Sequence, residues 1–123
     1  SFEKALALIK SGTAYEGLSI AYYTLGDIDN FNKNAVLSSR YKRHSGSFSL
    51  LGYSMLYLKD YQKAIQEFNK AIGAKPDYYL PYKGLGETFM ELGQKEKAIE
   101  YLNKAKELNS IDQESEMILA GIE

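Results

Sequence analysis

The sequence predicts an all-α fold, a helix-turn-helix solenoid of about three helix pairs with further helices at its ends. Three observations predict it. First, Phe48-x-x-Leu51-Gly52-x-x-Met55, then Ala64-x-x-x-Phe68, then Pro76, recurs 34 residues later as Tyr82-x-x-Leu85-Gly86-x-x-Phe89, Ala98-x-x-x-Leu102, Ser110. A period of this length, with aromatic, Leu-Gly, large, small and large residues in one order, is that of paired helices that cannot bury their apolar faces alone and must stack. Second, a weaker copy precedes these 33 residues earlier, Tyr15-x-x-Leu18-Ser19-x-x-Tyr22, followed by Phe31-x-x-x-Ala35 with large and small exchanged. Third, no alternating strand pattern competes, and turn residues recur at short intervals.

Each helix has boundary signals. The spacing predicts helices near residues 2–10, 14–25, 29–39, 45–58, 61–73, 79–92, 95–108 and 111–122. Thr13-x-x-Glu16 after Gly12 reads as a capping box and predicts a break between the first two. Leu25-Gly26-Asp27 and Leu92-Gly93 end helices, because glycine takes the left-handed conformation at a helix terminus. Asp60 and Asp77 are placed to cap the helices that follow them. Pro81 falls in a first turn, where its missing N–H costs little. Ser110-x-x-Gln113 is a second capping box, opening the last helix. The units are thus a partial helix at 2–10, a degenerate repeat at 12–44, repeats at 45–78 and 79–112, and a capping helix or partial repeat at 111–122, all in one domain. Gly52 and Gly86, with Ala64, Ala71, Ala98 and Ala105, leave room for helices to approach. Phe48, Tyr82, Phe68 and Leu102 fill the spaces between.

At these residues the chain resembles the tetratricopeptide repeat (TPR) family, strongly over 45–110 and more loosely over 12–44. It departs from the family pattern in having no Trp, in Ser19 for the first Gly, and in Arg43 and Ser110 where the middle copy has Pro76. The resemblance implies a right-handed superhelical arc whose first helices line a concave groove that takes a peptide or helix of a partner. It implies a protein-binding scaffold without catalysis. The family's clamp for chaperone-tail carboxylates wants amides and cations where this chain has Glu16, Ile20, Gly46 and Leu50, so that ligand is not expected.

The face of each first helix opposite its packing residues should line the groove. That selects Thr13, Glu16, Ile20, Tyr23 and Thr24, then Ser49, Tyr53, Leu56 and Tyr57, then Lys83, Glu87, Met90 and Glu91, with Glu114 and Met117 beyond. Tyr53 and Tyr57 share one helical face. With Ile20, Tyr23, Leu56 and Met90 they predict an aromatic floor, and tyrosine gives a binding face large area with a hydroxyl for specificity. The plain alternative is that they belong to the core. Lys83, Glu87 and Glu91 follow at four-residue steps. Lys83 with Glu87 also reads as a simple surface pair, but the two carboxylates invite a basic ligand residue.

Composition narrows the function classes. The formal net charge is −1, with +2 in residues 1–61 and −3 in residues 62–123. This weighs against nucleic acid and membrane surfaces, which favour excess positive charge. The basic run Arg40-Tyr41-Lys42-Arg43-His44 keeps RNA binding as a rival reading, against a solvated loop whose cations suit a helix C-terminus. There is no cysteine, and His44 is the single histidine, with no carboxylate at ligand spacing. Neither metal, cofactor nor catalytic constellation is predicted. No apolar run reaches the length of a membrane span. Residues 1–10 are amphipathic rather than a basic segment followed by an apolar block, which points away from a signal peptide and toward the cytoplasm, although a chain that opens inside a helix reads as an excised piece. The apolar Met117, Ile118, Leu119 and Ile122 at one end, with Phe2, Leu6 and Ile9 at the other, raise self-assembly as the alternative function, with Met117, Ile118 and Ile122 the expected oligomer surface.

Overall fold

The computed structural model describes residues 2–109 and residue 121; the side chains of residues 2, 5, 6 and 9 lie outside that description. The expected helix at 111–122, its capping box and the surface at Met117, Ile118 and Ile122 therefore fall outside the described residues, as do the side chains of Phe2, Leu6 and Ile9. Six helices run α1 Phe2–Leu25, α2 Ile28–Tyr41, α3 Ser45–Tyr57, α4 Tyr61–Ala74, α5 Tyr79–Glu91 and α6 Lys95–Leu108, and no strand occurs among the described residues.

The principal contacts join α1 to α2, α3 to α4 and α5 to α6, and then α2 to α3 and α4 to α5. The connections are short, which makes successive helices antiparallel neighbours. The first helices of the pairs also meet directly, α1 with α3 and α3 with α5, whereas contact between α2 and α4, or α4 and α6, is marginal at most. First helices converge and second helices splay, so the first helices form the inner wall of an arc.

The three turns inside the pairs are built alike. In each, two N–H groups reach back to the last helical turn: Gly26 to Tyr23 O at 3.0 Å and Asp27 to Tyr22 O at 2.9 Å, Lys59 to Leu56 O at 3.0 Å and Asp60 to Met55 O at 2.9 Å, Gly93 to Met90 O at 3.0 Å and Gln94 to Phe89 O at 2.9 Å. This satisfies orphan carbonyls at the helix end and requires a left-handed residue. Gly26 (φ 78°) and Gly93 (φ 75°) supply it freely, whereas the middle turn places Lys59 there at φ 62°. Asp27 and Asp60 then cap α2 and α4, accepting from Asn30 N at 3.2 Å and Lys63 N at 3.3 Å. Asp77 does not cap α5; Tyr78 holds that position, with no side-chain bond to the helix end.

The break expected between residues 10 and 14 is absent: α1 runs unbroken for 24 residues. Gly12 is a packing residue. A Cβ there would fall on Lys42 and the Tyr41 carbonyl carbon, and Ser38 Oγ donates to the Gly12 carbonyl at 3.2 Å. Glu16 turns to His44 and Lys42 instead of completing a cap with Thr13. An interior glycine costs a helix about 1 kcal/mol relative to alanine, and the close approach of α2 offsets that here.

The core is the predicted alternation of large and small. Phe68, Leu85 and Leu102 are fully buried beside Ala35, Ala64, Ala71, Ala98 and Ala105. Phe68 is the pivot. Its ring is packed against the backbones of Gly52 in α3 and Gly84 in α5, so one side chain of α4 holds two first helices. Burying a phenylalanine this fully contributes about 3 kcal/mol. The exchanged pair of the first copy is accommodated, with Phe31 and Ala35 both buried, and the ring of Phe31 one helical turn earlier reaches Tyr23 and Tyr57.

Candidate functional site

Two adjoining hollows lie along the inner wall. The first, about 200 Å³, is lined by Ile20 and Tyr23 of α1, Phe31 of α2, Leu50 and Tyr53 of α3, and Leu80, Lys83 and Glu87 of α5. The second, about 420 Å³, is lined by Leu56, Tyr57, Lys59, Tyr61, Glu87, Met90 and Glu91. Glu87 borders both, so it stands where they meet. Nine of the residues expected in the groove, Ile20, Tyr23, Tyr53, Leu56, Tyr57, Lys83, Glu87, Met90 and Glu91, line one hollow or the other, whereas Thr13, Glu16, Thr24 and Ser49 line neither and Glu114 and Met117 lie outside the described residues.

The floor is a continuous run of rings. Tyr23 lies 5.5 Å from Phe31 and 5.9 Å from Tyr57, Phe31 lies 5.8 Å from Tyr57, Tyr57 lies 6.4 Å from Tyr53, and Tyr53 meets Phe68 edge-on at 5.2 Å. Tilted and edge-to-face contacts at these separations are the favourable arrangements of aromatic quadrupoles. The run ties the groove surface to the core pivot. Exposure divides its members: Tyr23 is 47% and Tyr57 38% accessible, whereas Tyr53 is 8%. Ile20, at 50%, adds apolar surface at the first hollow.

The structure corrects several expectations at this surface. Lys83 is only 9% exposed, so it is a groove-wall residue and not a solvated surface charge. Tyr53 and Leu56, each 8% exposed, belong as much to the core as to the groove. Ser49 is fully buried and donates to the Ser45 carbonyl at 2.7 Å, a helix-internal bond away from any ligand. Phe31, which the pattern assigned to helix packing, also lines the first hollow, together with Leu50 and Leu80. The exchange of large and small at Phe31 and Ala35 was the available signal for Phe31, because it moves the ring toward the first helices.

The rim near the N-termini of α3 and α5 is polar and engaged. Glu16 Oε2 lies 2.9 Å from His44 Nε2 and 3.5 Å from Lys42 Nζ. His44 Nδ1 accepts the Gly46 N–H at 3.3 Å, and Ser47 Oγ accepts the His44 N–H at 3.1 Å, closing a capping box on α3. His44 thus has a carboxylate partner, contrary to the expectation from spacing; that partner comes from α1, 28 residues away. Two further residues of the basic run are also used within the fold. Tyr41 stacks on Tyr15 at 5.8 Å, and the Arg43 guanidinium sits 5.5 Å from the Phe48 ring centre. Tyr78 joins this rim, its hydroxyl pKa raised by burial and, secondarily, by Tyr79 and the Glu16 carboxylate. Among the described residues no group of three or more His, Asp or Glu stands together to hold a metal ion, and no helix is long and apolar enough to cross a membrane.

Stacked antiparallel pairs with small-residue contacts and a first-helix groove define a TPR helical-repeat domain, and comparison with solved structures agrees. The Arabidopsis OM64 TPR domain superposes with a TM-score of 0.81 at 14% identity, covering 94% of this chain and 96% of that one. The TPR2B domain of yeast Sti1, in its complex with pHsp70, gives 0.77 at 17% identity, covering 92% and 96%. The first TPR domain of human RPAP3 gives 0.72 at 19% identity, covering 96% and 88%. Within that class, the chain belongs to the family described as regulator of microtubule dynamics protein 1-3, whose family model matches residues 58–123. It is also 29% identical over 119 residues to the protein CTR9 homolog of Arabidopsis thaliana, a match covering 89% of this chain but 11% of that protein. The chain therefore spans about a tenth of the length of that relative.

Proposed function

We propose that this chain is a non-catalytic scaffold whose groove holds a peptide or helix of a partner protein. The observation that carries the reading is the pair of hollows meeting at Glu87 over the aromatic floor. The first hollow suits one large apolar or aromatic side chain, and the second suits a further anchor between Tyr57, Met90 and Tyr61. Anchors one or two helical turns apart would seat in both. A Lys or Arg between them meets Glu87 and Glu91. Tyr23, Tyr57 and Met90 supply contact area; Lys83, Glu87 and Glu91 supply selectivity, since charge complementarity favours register and partner choice more than raw affinity.

Two comparisons support a partner-holding role. A TPR domain of similar shape occurs in complex with pHsp70 in yeast Sti1, and the family description connects its members to the regulation of microtubule dynamics. We place the scaffold in that setting. The occupant differs from one held by a carboxylate clamp, because Glu16 and Gly46 adjoin each other at the rim where cations would be needed.

Selection from a displayed random-peptide library tests the reading. Enriched sequences are expected to carry apolar or aromatic residues three or four apart with a Lys or Arg nearby. Tyr57→Ala should lose them, and Glu91→Lys should weaken those with a basic residue. Enriched peptides that bind both variants as they bind wild type would refute a groove site.

A further inference from the structure

The middle turn departs from its two sisters. Gly26 and Gly93 hold the left-handed position in the first and third turns, and Lys59 holds it in the second at φ 62°. A side chain resists that conformation and glycine does not. The sequence thus has an unstrained solution that it uses twice and forgoes once. The middle turn is also the one that borders a hollow: Lys59 lines the second, whereas Gly26, Asp27, Gly93 and Gln94 line neither. A sparsely populated backbone conformation kept at the edge of a binding surface points to work done by its side chain.

The charges around the second hollow show what that work is. Leu56, Tyr57, Lys59 and Tyr61 line it from α3, the middle turn and α4, and Glu87, Met90 and Glu91 line it from α5. Lys59 and Glu91 are both exposed, and among the described residues neither forms an ion pair. Opposite charges therefore border one hollow of about 420 Å³ without bridging it. A lysine serving only to neutralise the α5 carboxylates would close on one of them, and a solvent-exposed pair would offset little of the backbone cost. Nor does the repeat demand these charges. The positions matching Glu91 are Thr24 and Tyr57, and those matching Lys59 are glycines.

We propose that Lys59 is a specificity residue of the groove, and that the partner segment carries an Asp or Glu for Lys59 and a Lys or Arg for Glu91, the two within one helical turn of each other. This rests on the groove reading above and adds the acidic half of the ligand. Apolar anchors alone would admit any amphipathic segment. Opposite charges on the two walls fix the direction in which the segment lies, because the reversed segment sets its acid beside Glu91 and its base beside Lys59. They also turn away segments of purely basic or purely acidic character. The flexible stem of a lysine suits the task, since its ammonium can follow the carboxylate of the ligand.

Parallel selections from a displayed random-peptide library test this, with the 123-residue chain as wild type, Lys59→Gly, Lys59→Gln and Tyr57→Ala. Wild-type pools should pair an acidic with a basic residue at a fixed spacing. Lys59→Gly and Lys59→Gln pools should keep the apolar anchors and the basic residue and lose the acidic one. A peptide selected on wild type should bind both Lys59 variants about three- to ten-fold more weakly, and the loss should vanish when its acidic residue is made neutral. Lys59→Gly relieves the backbone and Lys59→Gln does not, so a merely structural role would separate the two, whereas a charge role weakens both alike. Pools of equal acidic content, or a loss that persists with the neutralised peptide, would overturn the proposal. Binding lost in Tyr57→Ala but unchanged in both Lys59 variants would overturn it while leaving the groove in place. Binding unchanged in all three variants, or no enrichment on wild type, would overturn the groove reading and this inference together.

Discussion

Two glycine-to-alanine substitutions in neighbouring helices should move stability in opposite directions. At Gly84 a new Cβ would fall within the ring of Phe68, a side chain with no exposure that is also pressed against Gly52. The ring cannot withdraw without displacing Tyr53, which meets it edge-on at 5.2 Å. Overpacking of this kind costs about 1–3 kcal/mol, and the absence of slack places Gly84→Ala toward the upper end. The higher helix propensity of alanine returns about 1 kcal/mol, leaving a net loss of about 1–2 kcal/mol. At Gly73 in α4 a Cβ meets nothing within 4 Å, so only the propensity gain remains, reduced to about 0.5 kcal/mol so close to the helix end. For a chain of this length 1 kcal/mol moves Tm by roughly 3–6 °C. Thermal melts followed by circular dichroism should show Gly84→Ala lower by roughly 3–12 °C and Gly73→Ala higher by roughly 2–3 °C. Equal shifts of the same sign in both variants would refute the assignment of Phe68 as the pivot that locks α3, α4 and α5.

Other predictions follow from single features of the turns, core and rim. Lys59→Gly should raise stability by about 0.5–1 kcal/mol, because Lys59 sits at φ 62° where the two sister turns have glycine, and L-residues resist that conformation; chemical denaturation would show it. Ser54 Oγ is fully buried with no hydrogen-bond partner, so Ser54→Ala should stabilise by about 1 kcal/mol through removal of an unmet polar group, seen as a higher denaturation midpoint at unchanged slope. His44→Ala removes the α3 cap and the Glu16 contact and should cost about 1–2 kcal/mol. The Tyr78 hydroxyl pKa is raised in the folded chain above its ordinary value of 10.0. The folded state then holds this proton more tightly than the unfolded one. Its contribution is fully present below pH 10 and is lost as pH rises through the folded pKa. Tyr78→Phe should remove this part of the alkaline loss in a pH series of melts.

Most of the helical frame was legible because it rests on local signals. Gly26, Gly93, Asp27 and Asp60 mark helix ends by backbone chemistry that needs no tertiary partner. The alternation of Ala64 and Phe68, or Ala98 and Leu102, fixes the packing face through periodicity alone. The failures have tertiary causes. Gly12 and the Thr13-x-x-Glu16 pattern mimic a helix boundary, but the approach of α2 and the pull of His44 and Lys42 on Glu16 decide otherwise. Lys83 reads as surface in any linear pattern, since only the convergence of α3 and α5 buries it. Phe31 was assigned to the core and does belong there. Its second role, as floor of the first hollow, arises where α1, α2 and α3 meet, and no single helix carries that information.

The central claim is that the aromatic floor and the two carboxylates form one binding surface. The direct measurement is an NMR titration of isotope-labelled chain with the most enriched library peptide, repeated on Tyr57→Ala and Glu91→Lys. The account predicts shift changes concentrated at Ile20, Tyr23, Tyr57, Glu87 and Met90. It also predicts weaker binding in both variants, with the Glu91→Lys loss vanishing when the basic residue of the peptide is made neutral. Shift changes gathered instead on α2, α4 and α6, with affinity unchanged in both variants, would contradict it and move the binding surface to the outer wall.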